Sequence, residues 1–168
     1  MKQKILILLV AFLLVHIVVA HPHFKKTVVA DMRGKAVKLE FTTYPFNEAH
    51  LSEVQKGFVF HCGTALLSIT ADATSGKTSV PAGEYILRAQ ANSLDDWTLI
   101  LVPAAGVENS YEVDVSNGIR LDSSTLTGQP SSHHLSLDLN SGHGATEGKL
   151  ILSVAYGERT IEAVLDVS

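Results

Sequence analysis

Seven of the chain's eight histidines, His21, His23, His50, His61, His133, His134 and His143, follow residue 20. Imidazole is the commonest transition-metal ligand, so the first chemistry to test is a metal held by histidines. The stretch "IVVAHPHF", residues 17 to 24, makes one arrangement concrete. If the chain is cut after Ala20, the free amine of His21 and its own ring nitrogen chelate one copper ion together. A distant histidine, His50, His61 or His143, then completes a T-shaped brace. The amino-terminal copper motif with histidine in third place is blocked, because it needs a deprotonated amide at position two and Pro22 has no N–H to lose. The plain alternative is a cut that happens to precede a histidine, leaving an ordinary chain end.

Other groupings carry less. His133 and His134 are strand neighbours that point to opposite faces and cannot share one ion. His133 has the parity of Leu135, Leu137 and Leu139 and is expected to be half-buried; His134, with Ser136 and Asp138, is expected in solvent. Cys62 is the sole cysteine, which rules out an internal disulfide. Its setting, "GFVFHCG", is that of a buried, inert thiol. His61 beside it is no catalytic partner, since strand neighbours diverge. "ATSGKTS" ends like a phosphate loop, but Ala71 stands where the first glycine belongs and no helix follows. "DLNSGHG" begins like a calcium loop, but Lys149 occupies the place of the bidentate glutamate. It reads as a glycine-rich hairpin loop. Trp97, amid apolar strand residues, reads as core.

Residues 1–20 read as a signal peptide: Lys2 and Lys4, then an apolar run from Ile5 to Val19, then small residues at Val18 and Ala20. The run is too short for a comfortable bilayer span and is interrupted by His16. Residues 21–168 then form a single domain, periplasmic or extracellular, with no transmembrane segment after cleavage. Loss of Lys2 and Lys4 takes the formal charge from −4 to −6. No Lys/Arg cluster remains to neutralise phosphates, which excludes nucleic acid as a partner.

Period-two patterning runs through that domain. "TVVADM" and "AVKLEFTT" form a hairpin through Arg33-Gly34-Lys35, with Val37, Leu39 and Phe41 on its inner face. "GFVFHC", "ALLSITAD", "EYILRAQA" and "WTLILVP" follow, the last apolar on both faces and so expected at the centre of a sheet. Pro81-Ala82-Gly83 marks a turn. "YEVDVSNGIRLDSS" predicts a tight hairpin at Asn117-Gly118, and "KLILSVAYGERTIEAVLDV" another at Gly157-Glu158. The expectation is an all-β, antiparallel β-sandwich, jelly-roll-like, of roughly nine to eleven short strands and little helix. "YPFNEAHLSEVQK", residues 44–56, is a long connection with room for one helical turn capped by Asn47 or Ser52, and such connections often carry binding residues. "TLTGQPSS" is a second loop.

The order of these features resembles domain-of-unknown-function family 2911, a group of exported bacterial β-sandwich proteins. "PHFKKTV", "VVADMRGKAVKLEFTTYP", "FHCG", "VPAGEYIL" with "DWTLIL", and "HLSLDL" with "GKLILSVAYGERTIEAVL" carry the resemblance over nearly all of residues 21–168. It implies fold and export but no activity. Against the family pattern, Tyr44-Pro45 lacks the Gly-Arg pair that usually follows. Phe60-His61-Cys62-Gly63-Thr64-Ala65 replaces a Trp-Arg-Thr-Gly-Ala-Asn segment, which puts a histidine where an arginine is usual.

No nucleophile or acid/base pair stands in a legible motif. The expected function is therefore a non-catalytic binding or accessory module for a small ligand or an envelope protein. The alternative is copper binding, or copper-dependent oxidation, through His21 with His50, His61 or His143. A third reading is a structural or interaction protein working through its sheet edges.

Overall fold

The computed structural model describes residues 23–167; the expected signal peptide, and His21 with it, lie outside the described residues. The strands are β1 (Phe24–Asp31), β2 (Ala36–Thr43), β3 (Val59–Phe60), β4 (Leu66–Ile69), β5 (Ala73–Ser75), β6 (Thr78–Val80), β7 (Gly83–Ser93), β8 (Asp96–Pro103), β9 (Ile119–Arg120), β10 (Ser123–Leu126), β11 (Ser132–Ser141), β12 (Leu150–Gly157) and β13 (Arg159–Val167). The count exceeds the expected one because β3, β5, β6 and β9 are two or three residues long, too short to show a period in sequence.

Two antiparallel sheets face each other. The first runs β1-β2-β4-β7-β8-β9, with β3 also on β7; the second runs β11-β12-β13-β5-β6, with β10 also on β13. Between them lie the inward residues of the alternating strands: Val37, Leu39 and Phe41 from β2, Leu99 and Leu101 from β8, Leu135 and Leu137 from β11, Leu152 and Val154 from β12. Each fully buried Leu of this kind contributes about 1.5–3 kcal/mol. Trp97 packs in the same core, and its indole N–H donates to the Leu94 carbonyl at 2.8 Å.

Both hairpins with unambiguous alternation form as expected. β1 pairs with β2 from Phe24↔Thr43 to Asp31↔Ala36. β12 pairs with β13 up to Tyr156↔Arg159, which puts the turn at Gly157-Glu158. β8 is buried on both faces, and so is β7 beside it.

The hairpin expected at Asn117-Gly118 does not form. Tyr111 to Val115 pairs with no strand; residues 104–118 form a loop instead, which lies over the outer face of β7 and β8. There Ile86, Arg88, Ile100 and Val102 are buried outside the main core. Alternating Val113 and Val115 are half-buried, so the period of two marks one covered face rather than a ladder. Gly118 is required for close approach, since a Cβ there would stand 2.3 Å from Ile100 Cγ2.

The chain passes from one sheet to the other between β4 and β5, between β6 and β7 and between β9 and β10, and it touches the second sheet once more after β2. After β9 on the first sheet, Leu121 and Asp122 lead into β10 on the second. At the other side Tyr44 to Phe46 leave β2 and lie along the start of β11: Leu135 N–H donates to the Tyr44 carbonyl at 2.8 Å and Phe46 N–H to the His133 carbonyl at 2.9 Å. This crossing opens the long connection that carries the candidate site.

Candidate functional site

Two structural choices build the site. The first is the connection after β2. Asn47 caps a single 3-10 turn, Glu48–His50, by accepting from Ala49 N–H at 3.0 Å. Its own N–H donates to the Tyr156 hydroxyl at 3.0 Å, which ties the turn to β12. His50 then stacks on Tyr156 with ring planes 8° apart, and its Nδ1 shares a 2.7 Å hydrogen bond with the same hydroxyl. That leaves Nε2 as the nitrogen available to a ligand.

The second choice lies between β3 and β4. Cys62, Gly63 and Thr64 take φ of 51°, 64° and 53°, a left-handed turn closed by Thr64 N–H donating to the His61 carbonyl at 3.1 Å. Two of these three are not glycine, and such residues persist in this region only where surrounding packing enforces it. The turn lifts residues 61–64 off the edge of β7, and the ladder resumes where Leu87 N–H donates to the Ala65 carbonyl at 2.9 Å. β3 pairs with Ala89 and Gln90, and β4 with Gly83 to Ile86, leaving a gap in the ladder between them.

Arg88 fills that gap. Its Nη1 donates to the carbonyls of Leu87 (2.8 Å) and His61 (3.1 Å), and its Nη2 to the carbonyl of Ser110 in the covering loop. The side chain is fully buried, Nε has no partner, and none of the ion pairs among the described residues involves it. Burial lowers its pKa, yet a guanidinium stays charged under any ordinary condition. A positive charge neutralised only by carbonyl dipoles thus sits behind His61.

The resulting cleft, about 530 Å³, is lined by His23, Tyr44, His50, His61 and Tyr111 among others. Tyr44 is its centre. Its ring lies 6.3 Å from His23, 6.4 Å from His50 and 5.9 Å from Tyr156, and Tyr111 lies 5.7 Å from His61. A second depression of about 500 Å³, also lined by Tyr44, His50 and His61, adjoins it and reaches Glu53 and Phe58. Burial pushes the Tyr44 phenol well above its ordinary pKa, so it is a neutral donor and acceptor. Desolvation, and then the Arg88 charge, lower the pKa of His61 from its ordinary 6.5. His61 therefore carries a neutral ring with a lone pair at neutral pH.

Of the four sequence candidates for a metal, His50 and His61 line this cleft and His21 lies outside the described residues. His143 is at the far end of the sandwich. It lies in the loop after Ser141, near the β1–β2 turn, where Gly148 approaches Arg33, whereas the other end of β11 adjoins Tyr44. His133 is exposed, contrary to its parity, because the pairing register shifts between Ser132 and Ser136 and breaks the alternation. His134 is exposed, as expected. Among the described residues no three His, Cys, Asp or Glu side chains gather closely enough to hold a metal ion.

Tyr44 was legible only as the start of the connection over residues 44–56, and the sequence reading missed Tyr111, Tyr156 and Arg88. Of these three only Arg88 left a trace, a charge in the mainly apolar run "YILRAQA".

Cys62 is fully buried under the turn, and burial pushes its thiol up to about 12, against the partial relief that Arg88 gives. A shift from about 9 to about 12 cuts the thiolate fraction at pH 8 by about a thousandfold. Native protein at that pH is expected to resist iodoacetamide by at least this factor relative to urea-unfolded protein. Comparable rates in the two states would show that the thiol is not enclosed.

Compared with protein-family models, with curated proteins and with solved structures, the chain matches none.

Proposed function

We propose that this is an exported β-sandwich protein, of the kind grouped in domain-of-unknown-function family 2911, that binds a small ligand in the Tyr44 cleft without transforming it. The observation that supports the reading is the convergence of aromatic and imidazole rings on one concave site. Pockets of this size, largely apolar with a few placed polar groups, suit small ligands. The cleft offers ring faces for stacking, the Tyr44 hydroxyl, and the free nitrogens of His50 and His61. It offers no activated nucleophile, because the one thiol nearby is buried and protonated.

A fragment screen on isotope-labelled protein, using small aromatic, saccharide and carboxylate probes, tests this. Chemical-shift changes are expected to cluster on Tyr44, His50, His61 and Tyr111. Binding should persist through pH 6.5 and weaken only as the pH falls through the lowered pKa of His61, because protonation removes the acceptor that its neutral ring offers. Turnover on a broad hydrolase panel, lost on replacing His61, would overturn the non-catalytic reading.

A second reading, copper held by a His21 brace, is favoured by one observation. His23, which follows His21 by two positions in the sequence, is a cleft-lining residue beside His50 and His61. Intact mass spectrometry with one equivalent of copper, before and after blocking the terminal amine, decides it. Retention of copper by protein beginning at His21, lost on blocking, supports the brace; retention unchanged by blocking sinks it.

A further inference from the structure

β1 is the outermost strand of its sheet, and among the described residues its strand partner is β2 alone. Its exposed edge is eight residues long and unbroken by proline or a bulge. Such an edge invites pairing with another strand unless charge or shape prevents it. Lys25 and Lys26 would serve as guards, and against a neutral strand they would be enough.

The identity of the fitting strand follows from the pattern of backbone groups. Met32 and Lys35 exchange N–H and carbonyl bonds at 2.9 and 3.4 Å across the β1–β2 turn. In an antiparallel ladder such bonded pairs alternate with non-bonded ones. Phe24, Lys26, Val28 and Ala30 therefore direct their backbone groups at β2, and Lys25, Thr27, Val29 and Asp31 direct theirs outward. If a second β1 lies antiparallel to the first with the two-fold axis at Val28, Lys25 falls opposite Asp31 and Thr27 opposite Val29, each reciprocally. Every outward-directed residue of the strand then finds a bonded partner.

Shifting the axis to Thr27 or to Val29 leaves outward-directed strand residues unmatched, and neither shift pairs Lys25 with Asp31. The shift to Val29 sets Lys25 against Arg33. The Val28-centred register also sets Val28 against Val28, on the side that packs toward the core. It brings Phe24, 56% exposed, against Met32, and gives Val29, 63% exposed, a neighbour on the outer face.

We propose that the chain forms a symmetric homodimer by antiparallel pairing of β1 with β1 about Val28, with the Lys25–Asp31 pairs selecting the register. A strand whose charges complement their own reversed order is specific for a second copy of itself and discourages other edges.

The test is sedimentation equilibrium on protein purified with whichever N-terminus it carries in its host. Wild-type protein is expected to dimerise. Lys25→Asp sets Asp against Asp31, and Asp31→Lys sets Lys against Lys25, so each variant alone should dimerise at least about tenfold more weakly. An equimolar mixture restores both opposite-charge pairs in the heterodimer and should recover wild-type association.

Asp31 also accepts the Gly34 N–H at 2.7 Å, so Asp31→Lys weakens the turn as well. Thr27→Pro supplies an independent probe: it removes one outward N–H without touching a bond to β2, and should leave a monomer of unchanged circular dichroism. A wild-type chain that is monomeric at every concentration overturns the proposal. So does a dimer indifferent to Lys25→Asp and Thr27→Pro, or a mixture no stronger than its components.

Discussion

Replacing Gly63 with alanine is expected to destabilise the protein by about 2–4 kcal/mol and to disturb the cleft before anything else. The added Cβ would stand 2.1 Å from the Thr42 carbonyl oxygen and 2.8 Å from Leu135 Cδ2. Neither neighbour can yield, since Thr42 is in the β2 ladder and Leu135 is fully buried. The residue also holds φ of 64°, which costs an alanine about 1 kcal/mol before any clash. The steric term decides the outcome, as overpacking against fixed backbone ordinarily costs about 1–3 kcal/mol by itself. A domain of this size loses about 2–4 °C of melting temperature per kcal/mol, so a fall near 10 °C should be seen by calorimetry. A change of under about 1 kcal/mol would mean that the left-handed turn relaxes freely. His61 would then be less firmly placed than the geometry implies.

How far such features could be read in sequence depended on whether they were periodic. The β1–β2 and β12–β13 hairpins alternate cleanly because one face of each is buried and the other wet, and burial is what period-two patterning reports. The same rule misleads at "YEVDVSNG", where Val113 and Val115 alternate against the outside of β7 and β8 without joining a ladder. Asn117-Gly118 there resembles hairpin chemistry, but Gly118 serves close packing on Ile100. His133 failed for a related reason, since a register shift is a property of two strands and leaves no mark on one. Cys62 and Trp97 were legible as core because their neighbours are apolar.

The candidate site was only half legible. His50 sits in a connection whose length marked it, and Asn47 was recognisable as its cap. The covering loop adds Tyr111 to the cleft, β12 sets Tyr156 behind Tyr44 and His50, and no spacing rule links Tyr44 to either. What joins them is the crossing of Tyr44 to Phe46 onto β11, a tertiary event. The left-handed turn at 62–64 was equally invisible, because Cys and Thr are poor residues for that conformation and packing overrides their preference.

Arg88→Met tests the other support of the cleft, and two large terms oppose each other in it. Removing the guanidinium recovers the cost of burying a charge that no carboxylate offsets, several kcal/mol. It also strips a donor from the carbonyls of His61, Leu87 and Ser110, at about 1–3 kcal/mol for each acceptor left buried. Met fills the volume but donates nothing, so the gap in the β7 ladder stays unpaired. The His61 carbonyl keeps its bond from Thr64 N–H, which leaves Leu87 and Ser110 to carry most of the loss. Those two losses sum to about 2–6 kcal/mol against the several recovered, so the net change in global stability is small and the loss falls on the loop. Hydrogen exchange should then show residues 104–118 losing protection ahead of the two sheets, since Ser110 is where the loop is tied down. A local signature separates this from general loosening: Arg88 lowers the pKa of His61 by its charge, so the imidazole should titrate at higher pH in Arg88→Met than in wild type. Arg88→Lys keeps the charge and cannot reach all three carbonyls, so it should retain the depressed His61 titration while losing part of the loop's protection. If Arg88→Met instead matched wild type in exchange, the loop would be held by Ile86, Ile100 and Val102 alone, and the guanidinium would serve the cleft only as a charge behind His61.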